Sequence, residues 1–298
     1  MAKVLVAGVA VLDFVFQVTE MPRTAEKYRA DGASIVGGGN AANSAVAIAR
    51  LGGEARLAAR LGDDEIADLI VSGLRAERVN TDAVRRFEGR RSSFSSIYVD
   101  REGERQIMNF RDMSITMDAD WLAEIEHGEF AAALADTRWP QGAMAAIDAA
   151  RTHGVPGIMD AEAPVREAID GIERASHVAF SAQGAAEFTG KLDVEEAALA
   201  ASTMLDGMVL VTDGPNGTVR IEDGDAIWTP CPQVDVVDTL GAGDVWHGAF
   251  ALQLAEGAAL DAAIRFANSA ASLKCTSPGG RDGAPTRAQT IAFMEQHT

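Results

Sequence analysis

The chain is poor in the residues that mark several familiar functional classes. Only two cysteines, Cys231 and Cys275, occur among its 298 residues. They form no close-spaced pair of the kind that binds zinc, and so few thiols cannot staple a secreted disulfide scaffold. Aromatic residues make up 6%, and 26 Lys and Arg stand against 44 Asp and Glu. The resulting net charge of −18 argues against nucleic acid or an anionic membrane as a partner. No apolar run approaches the roughly 18 residues needed to span a bilayer, and the short run 1–10 lacks the core and cleavage site of a signal peptide. A reduced, cytoplasmic setting is the expectation. The P-loop pattern G-x-x-x-x-G-K-[ST] is also missing, which removes the commonest nucleotide loop.

What is present is an alternation. Apolar runs predict strands at Lys3–Gly8, Phe14–Val18, Tyr28–Val36, Ala55–Arg60, Ser93–Val99 and Arg105–Phe110. Further strands are expected at Ala131–Ala135, Pro156–Asp160, His177–Phe180 and Met208–Thr212, with a hairpin over Gly217–Thr229. Helical spacing covers Asn40–Leu51, Asp64–Glu77, Ala242–Glu256, Leu260–Leu273 and Thr286–Gln296. Strands separated by Ala-rich helices imply a doubly wound, mostly parallel α/β sheet in one domain spanning 1–298. The early strands, at about 11–36 and 91–110, break the alternation and read as a small lid sheet.

Two glycine turns carry the chemistry. In Asp238-Thr239-Leu240-Gly241-Ala242-Gly243-Asp244 the chain turns tightly into a helix. Backbone N–H groups at such a helix start bind anions, and they stabilise the charge that spreads over a phosphoryl group in transfer. Asp244, in the same first turn, is placed to take a proton from a substrate hydroxyl. The second turn, Gly37-Gly38-Gly39-Asn40-Ala41-Ala42-Asn43, brings backbone near a small ligand and sets Asn40 and Asn43 on one helix face. Their amides suit sugar hydroxyls. Trp139, next to Arg138 at an expected strand end, is read as ligand-adjacent. Trp246 and His247 are read as packing or capping residues.

The paired turns, about 200 residues apart, resemble the signatures of the ribokinase-like (PfkB) family of carbohydrate kinases. The resemblance extends to Gly8–Asp13, Leu61-Gly62-Asp63-Asp64 and Val211-Thr212-Asp213-Gly214. It implies an ATP-dependent sugar kinase with Asp244 as base and the amides of Gly241, Ala242 and Gly243 as an anion hole. It also implies sugar contacts from Asp13, Gly39, Asn40 and Asn43, with the nucleotide across Thr212, Gly214 and Gly217 and Asn268 near the adenine. Mg²⁺ is expected with ATP. K⁺ is expected at a loop joining Asp238 to Ser277-Pro278-Gly279-Gly280. Relatives pair through the lid, which implies a homodimer.

One departure stands out. The family's Asn-x-x-Glu motif is replaced by Ser181-Ala182-Gln183-Gly184. Ketohexokinase-type members share this departure and the Gly-Gly-Asn-x-x-Asn spacing. Other segments are similar to sulfofructose kinase-type members, which implies Lys27, Asn109 and Arg138 around a sulfonate. The expected substrate is therefore a ketohexose, fructose or 6-deoxy-6-sulfofructose, phosphorylated at a primary hydroxyl. A ribose or nucleoside kinase, or a non-catalytic sugar or nucleotide sensor, are the alternatives.

Overall fold

The computed structural model describes residues 1–124 and 130–297. The first half runs β1 (Lys3–Ala7), β2 (Val11–Gln17), β3 (Gly32–Gly38), α1 (Asn40–Arg50), β4 (Glu54–Gly62), α2 (Glu65–Ala76), β5 (Val84–Phe87), β6 (Phe94–Val99), β7 (Arg105–Phe110) and α3 (Trp121–Glu124). The next stretch is β8 (Ala132–Asp136), α4 (Pro140–His153), β9 (Gly157–Ala161), α5 (Ile169–Arg174), β10 (His177–Ser181), α6 (Ala182–Thr189), α7 (Val194–Met204) and β11 (Met208–Thr212). Then come the hairpin β12 (Thr218–Glu222) and β13 (Asp225–Thr229), and the helices α8 (Ala242–Ala255), α9 (Leu260–Cys275) and α10 (Arg287–Gln296).

Nine strands form one sheet in the order β13-β12-β11-β10-β9-β8-β1-β4-β5. Neighbours from β11 to β5 run parallel, and β12 and β13 close one edge antiparallel. Both faces of the central strands are covered, so β8 and β9 are buried throughout and read as unbroken apolar runs rather than alternating ones. The two-residue period still sorts β1. Val4 and Val6 join the core beneath Ile48 of α1, Phe250 of α8 and Ile264 of α9. Leu5 and Ala7 face the opposite core, with Ile147 of α4 and Ala198 of α7.

Chain order reverses at β1. The chain first builds outward through β4 and β5, then returns to β8 on the other side of β1. The crevice beyond the strand ends at such a reversal is where open α/β sheets bind ligands. The second sheet has the order β3-β2-β6-β7, antiparallel except for the parallel β2–β6 pair. Residues 8–10 alone separate β1 from β2, and Gly39 alone separates β3 from α1. The lid is thus anchored on both sides of the switch point. Its strands lie near their expected positions, although β2 begins at Val11 and β3 at Gly32. The short β5, with two arginines in four residues, was not expected.

Trp139 belongs to the core, a correction to its reading as ligand-adjacent. It is fully buried, donates from Nε1 to Met117 O at 2.8 Å and stacks on Trp121 with centroids 5.6 Å apart. Trp139→Ala is expected to lower the unfolding free energy by about 3–5 kcal/mol, measured by urea denaturation.

Candidate active site

The switch point is built around Asp136, the last residue of β8. Its Oδ2 accepts from the amides of Val9 (2.8 Å) and Ala41 (3.0 Å), and its Oδ1 from that of Arg138 (2.9 Å). One carboxylate therefore ties the end of β1, the start of α1 and the loop after β8. Burial pushes it up to about 6 despite those three amides. Gly8 makes room for it, since a Cβ there would lie 2.2 Å from Oδ2.

Asp244 lies one turn into α8, whose N-cap Gly241 has φ 76°. The amide of Ala242 turns back onto Thr239 O at 3.1 Å. The amides of Gly241, Gly243 and Asp244 have no partner among the described residues and are free to meet an anion, whereas that of Ala242 is taken. Asn43 Nδ2 donates to Asp244 Oδ2 at 2.7 Å, and Ser44 Oγ donates to Asp244 O at 3.0 Å. These bonds hold the N-termini of α1 and α8 together, and both helix dipoles favour negative charge between them.

Beneath Asp244 lies a buried pair. His247 Nε2 is 3.5 Å from Asp160 Oδ1 and 3.2 Å from Ala179 O, while Nδ1 faces Gly243 O at 2.8 Å. Both ring nitrogens therefore face acceptors, which orients the buried ring. Burial, with Asp160 and Glu162 nearby, pushes Asp244 up to about 7, while Asn43 and His247 oppose the shift. A carboxylate tuned to neutrality suits a general base.

On the lid side, Asp13, Ser95 and Asn109 occupy one register row across β2, β6 and β7. Asn109 Nδ2 donates to Ser95 Oγ at 3.1 Å, and Asp13 is raised by burial while Ser95 and Arg281 oppose. Asn40 Nδ2 donates to Glu162 Oε2 at 2.7 Å, and Arg138 Nη2 lies 3.2 Å from the same oxygen. Gly39, with φ 95°, brings the backbone against Val9, where a Cβ would lie 2.5 Å from its carbonyl oxygen. Lys27 is not brought to this group: it is exposed on the loop 18–31 and makes no bond or ion pair among the described residues.

Arg281 was overlooked as a site residue. Buried at 6% exposure, it donates from Nε to Asn43 Oδ1 (2.9 Å) and from Nη2 to Gly38 O (3.0 Å). A Cβ on Gly37 would lie 2.1 Å from its guanidinium, which is the reason for a third glycine in that turn. Its only sequence signal was its place after the glycines 279 and 280.

A cleft of about 490 Å³ is lined by Thr212, Gly214 and Gly217 together with Ala242 and Gly243 of the 241–244 turn. Asn268 lines it too, but its amide is spent. Oδ1 accepts from Thr218 (2.8 Å) and Trp246 (2.7 Å), and Nδ2 donates to Thr229 O (2.9 Å) and Pro230 O (3.3 Å). It braces the cleft from its lining, with its amide hydrogen bonds taken by the protein.

Where the family carries Asn-x-x-Glu, Ser181 caps α6 by accepting from Gly184 N at 3.0 Å. Gly184 sits against the backbone, so that a Cβ would lie 2.0 Å from Ala161 O. No cluster of three metal-binding side chains exists among the described residues. Asp213 lines the cleft, and one such carboxylate fits a Mg²⁺ that arrives on the triphosphate, since Mg²⁺ commonly takes only one or two protein carboxylates there.

The expected K⁺ loop is filled differently. Lys274 Nζ, with no exposure, donates to Asp238 O at 2.7 Å and lies 3.5 Å from Oδ2. Asp238 Oδ2 accepts from the amides of Gly279 (3.0 Å) and Gly280 (3.2 Å), and Oδ1 from Leu240 N (2.9 Å) and Arg105 (3.0 Å). A dehydrated monovalent cation needs oxygen donors around it. Here the carbonyl and carboxylate oxygens of Asp238 are already taken and Gly279 presents an N–H, so Asp238 offers K⁺ no free oxygen.

Gly184→Glu is expected to destabilise the fold by at least about 1–3 kcal/mol in thermal or urea unfolding, rather than restore a metal ligand, because its Cβ has no space.

Three comparisons bear on this geometry. The model of the pfkB family carbohydrate kinases matches residues 1–287. The ribokinase of Bacillus subtilis is 29% identical over 293 residues, covering 96% of this chain and 97% of that one. The fructokinase of Vibrio alginolyticus is 26% identical, covering 87% and 92%. Among solved structures, a protein of Agrobacterium tumefaciens provisionally named a ribokinase superposes with a TM-score of 0.91, at 36% identity and with 99% and 98% of the two chains covered. Arabidopsis thaliana ribokinase, solved with ribose and ATP, shares the fold at a TM-score of 0.86 and 24% identity, with 99% of each chain covered. With a matching family model along nearly its whole length and a ribokinase-like fold, the chain belongs to the pfkB family of carbohydrate kinases, which are ATP-dependent phosphotransferases.

Proposed function

We propose that this kinase transfers the γ-phosphoryl group of ATP to a primary hydroxyl of a ketohexose, fructose being the parent case. The observation that carries this reading is the 2.7 Å bond from Asn43 to Asp244, which fixes a near-neutral carboxylate between the anion hole and the polar row of the lid. Asp13 and Asn109 orient the sugar, and Asp244 takes the proton of the attacking hydroxyl. The free amides of the 241–244 turn receive the charge that develops on the phosphoryl oxygens. Asp213, in the cleft lining, is the carboxylate that would hold a Mg²⁺ arriving on ATP, and the ion would supply neutralisation of phosphate charge. The free thiols of Cys231 and Cys275 accord with a reducing cytoplasm. We also propose pairing of two copies over the lid, whose strands expose Ile35, Ile107 and Met108.

A second reading, a ketohexose bearing a sulfonate, is favoured by a cationic corner. Arg60 lies over Trp139 at 4.9 Å, and Arg111 Nη2 donates to Arg138 O at 2.8 Å. Among the described residues neither Arg60 nor Arg111 forms an ion pair, although Asp136 acts on Arg60 through space and Asp112 lines the same cavity. The cavity they share also contains Gly8, at the sheet end beside Asp136. A permanent anion would find its counter-charge there.

ADP release with fructose, fructose 6-phosphate, 6-deoxy-6-sulfofructose, ribose and adenosine separates these readings. A ketohexose is expected to give the highest kcat/KM, and a preference for ribose or adenosine would overturn the proposal. Asp244→Asn is expected to lower kcat by about 10²–10⁴ while nucleotide binding by calorimetry persists. The acid limb of kcat/KM is expected near pH 7, because Asp244 must lose its proton to act and burial holds that proton to about 7. His247→Asn is expected to move this limb to higher pH without changing the KM for ATP, since the ring opposes the upward shift.

A further inference from the structure

The segment from Asp238 to Asp244 contains the turn and the base, so whatever fixes Asp238 fixes both. Its carbonyl and carboxylate together take six contacts. Four are the amides of Leu240, Gly279 and Gly280 and the guanidinium of Arg105. The other two come from one ammonium, Lys274 Nζ, at 2.7 Å from the carbonyl and 3.5 Å from the carboxylate. Burial opposes ionisation of Asp238, yet the amides of Leu240, Gly280 and Gly279 and the charge of Lys274 hold it down to about 2.

An ammonium with no exposure costs several kcal/mol to bury unless it is paired. Lys274 therefore has no purely solvent-facing reason to be charged here. Its position in the last turn of α9 also suits a cation, because the helix dipole is negative there. Cys275 O accepts from the amides of Val237 (2.8 Å) and Asp238 (3.2 Å), so the end of α9 and the catalytic loop are bonded from both sides. Two positive groups, Lys274 and Arg105, meet one Asp238 carboxylate and leave a net positive charge behind the turn. A second cation on the Asp238 carbonyl would contact the ammonium already bound there.

We infer that the Lys274 ammonium is the tethered monovalent cation of this loop, a positioning residue that makes turnover independent of K⁺. This rests on the kinase reading of the site. It adds that the loop carries its own tethered cation, at a place where the oxygens of Asp238 are not free for another.

The test compares KCl with tetramethylammonium chloride at equal ionic strength. The wild-type kcat on the best sugar is expected to agree within about twofold between the two salts. Activation by K⁺ of about tenfold or more would overturn the inference. Lys274→Met is expected to lose at least about tenfold in kcat in tetramethylammonium, through a loosened anion hole, and to regain part of it with K⁺ or NH₄⁺. Full activity of that variant without small cations would also overturn the inference. Should the variant not fold, the wild-type comparison decides alone. Should no sugar be turned over, the melting temperature of the wild-type ADP complex replaces kcat: equal values in both salts uphold the inference, and a rise specific to K⁺ overturns it. Failure of the kinase reading is then visible separately, as silence across the sugar panel.

Discussion

The hydrogen bond from Asn43 to Asp244 is the constraint on which the site depends. It joins the first turns of α1 and α8, two segments 201 residues apart, and so aims both positive helix ends at one small volume. Ser44 repeats the link to the backbone, and Arg281 holds the other side of the Asn43 amide. Each helix start is entered through a glycine with positive φ. Together they form a clamp in which Asp244, the free amides of its turn and the glycine turn before α1 share one set of bonds.

The site also resolves a conflict in the composition. A chain of net charge −18 must receive polyanionic ATP. It does so with charges fixed by burial rather than by number. Arg281 and Lys274 lie inside, and backbone amides supply the remaining positive potential. Acidic side chains inside the same site are not wasted. Asp136 ties three chain segments through their amides, and Asp160 raises the proton affinity of Asp244 at close range.

Much of this was legible in the sequence, for identifiable reasons. The turns at 37–43 and 238–244 announce themselves because glycine, a polar residue and a helix start fall within seven positions. The strands of the large sheet were legible because burial on both faces leaves unbroken apolar runs. What escaped detection depends on topology. Asp136 and Asp160 end such runs and look like ordinary strand boundaries until the sheet order sets them side by side. Lys274 and Asn268 sat on a well-recognised helix, yet their roles follow from partners 36 to 50 residues away. Lys27 shows the reverse: a segment that resembles a binding motif lies on an exposed loop. The strand β5 escaped because its pattern, Val-Arg-Arg-Phe, is too short and too charged to register.

Gly184 has a consequence for what the site can be engineered to hold. With the Ala161 carbonyl occupying the space of any side chain at position 184, an acid placed there meets backbone before it can reach a ligand. Room for it would require β9 and α6 to separate. Redesign of the phosphate end of this cleft is therefore directed to positions that already face it, such as Asp213 and Gln183, rather than to position 184.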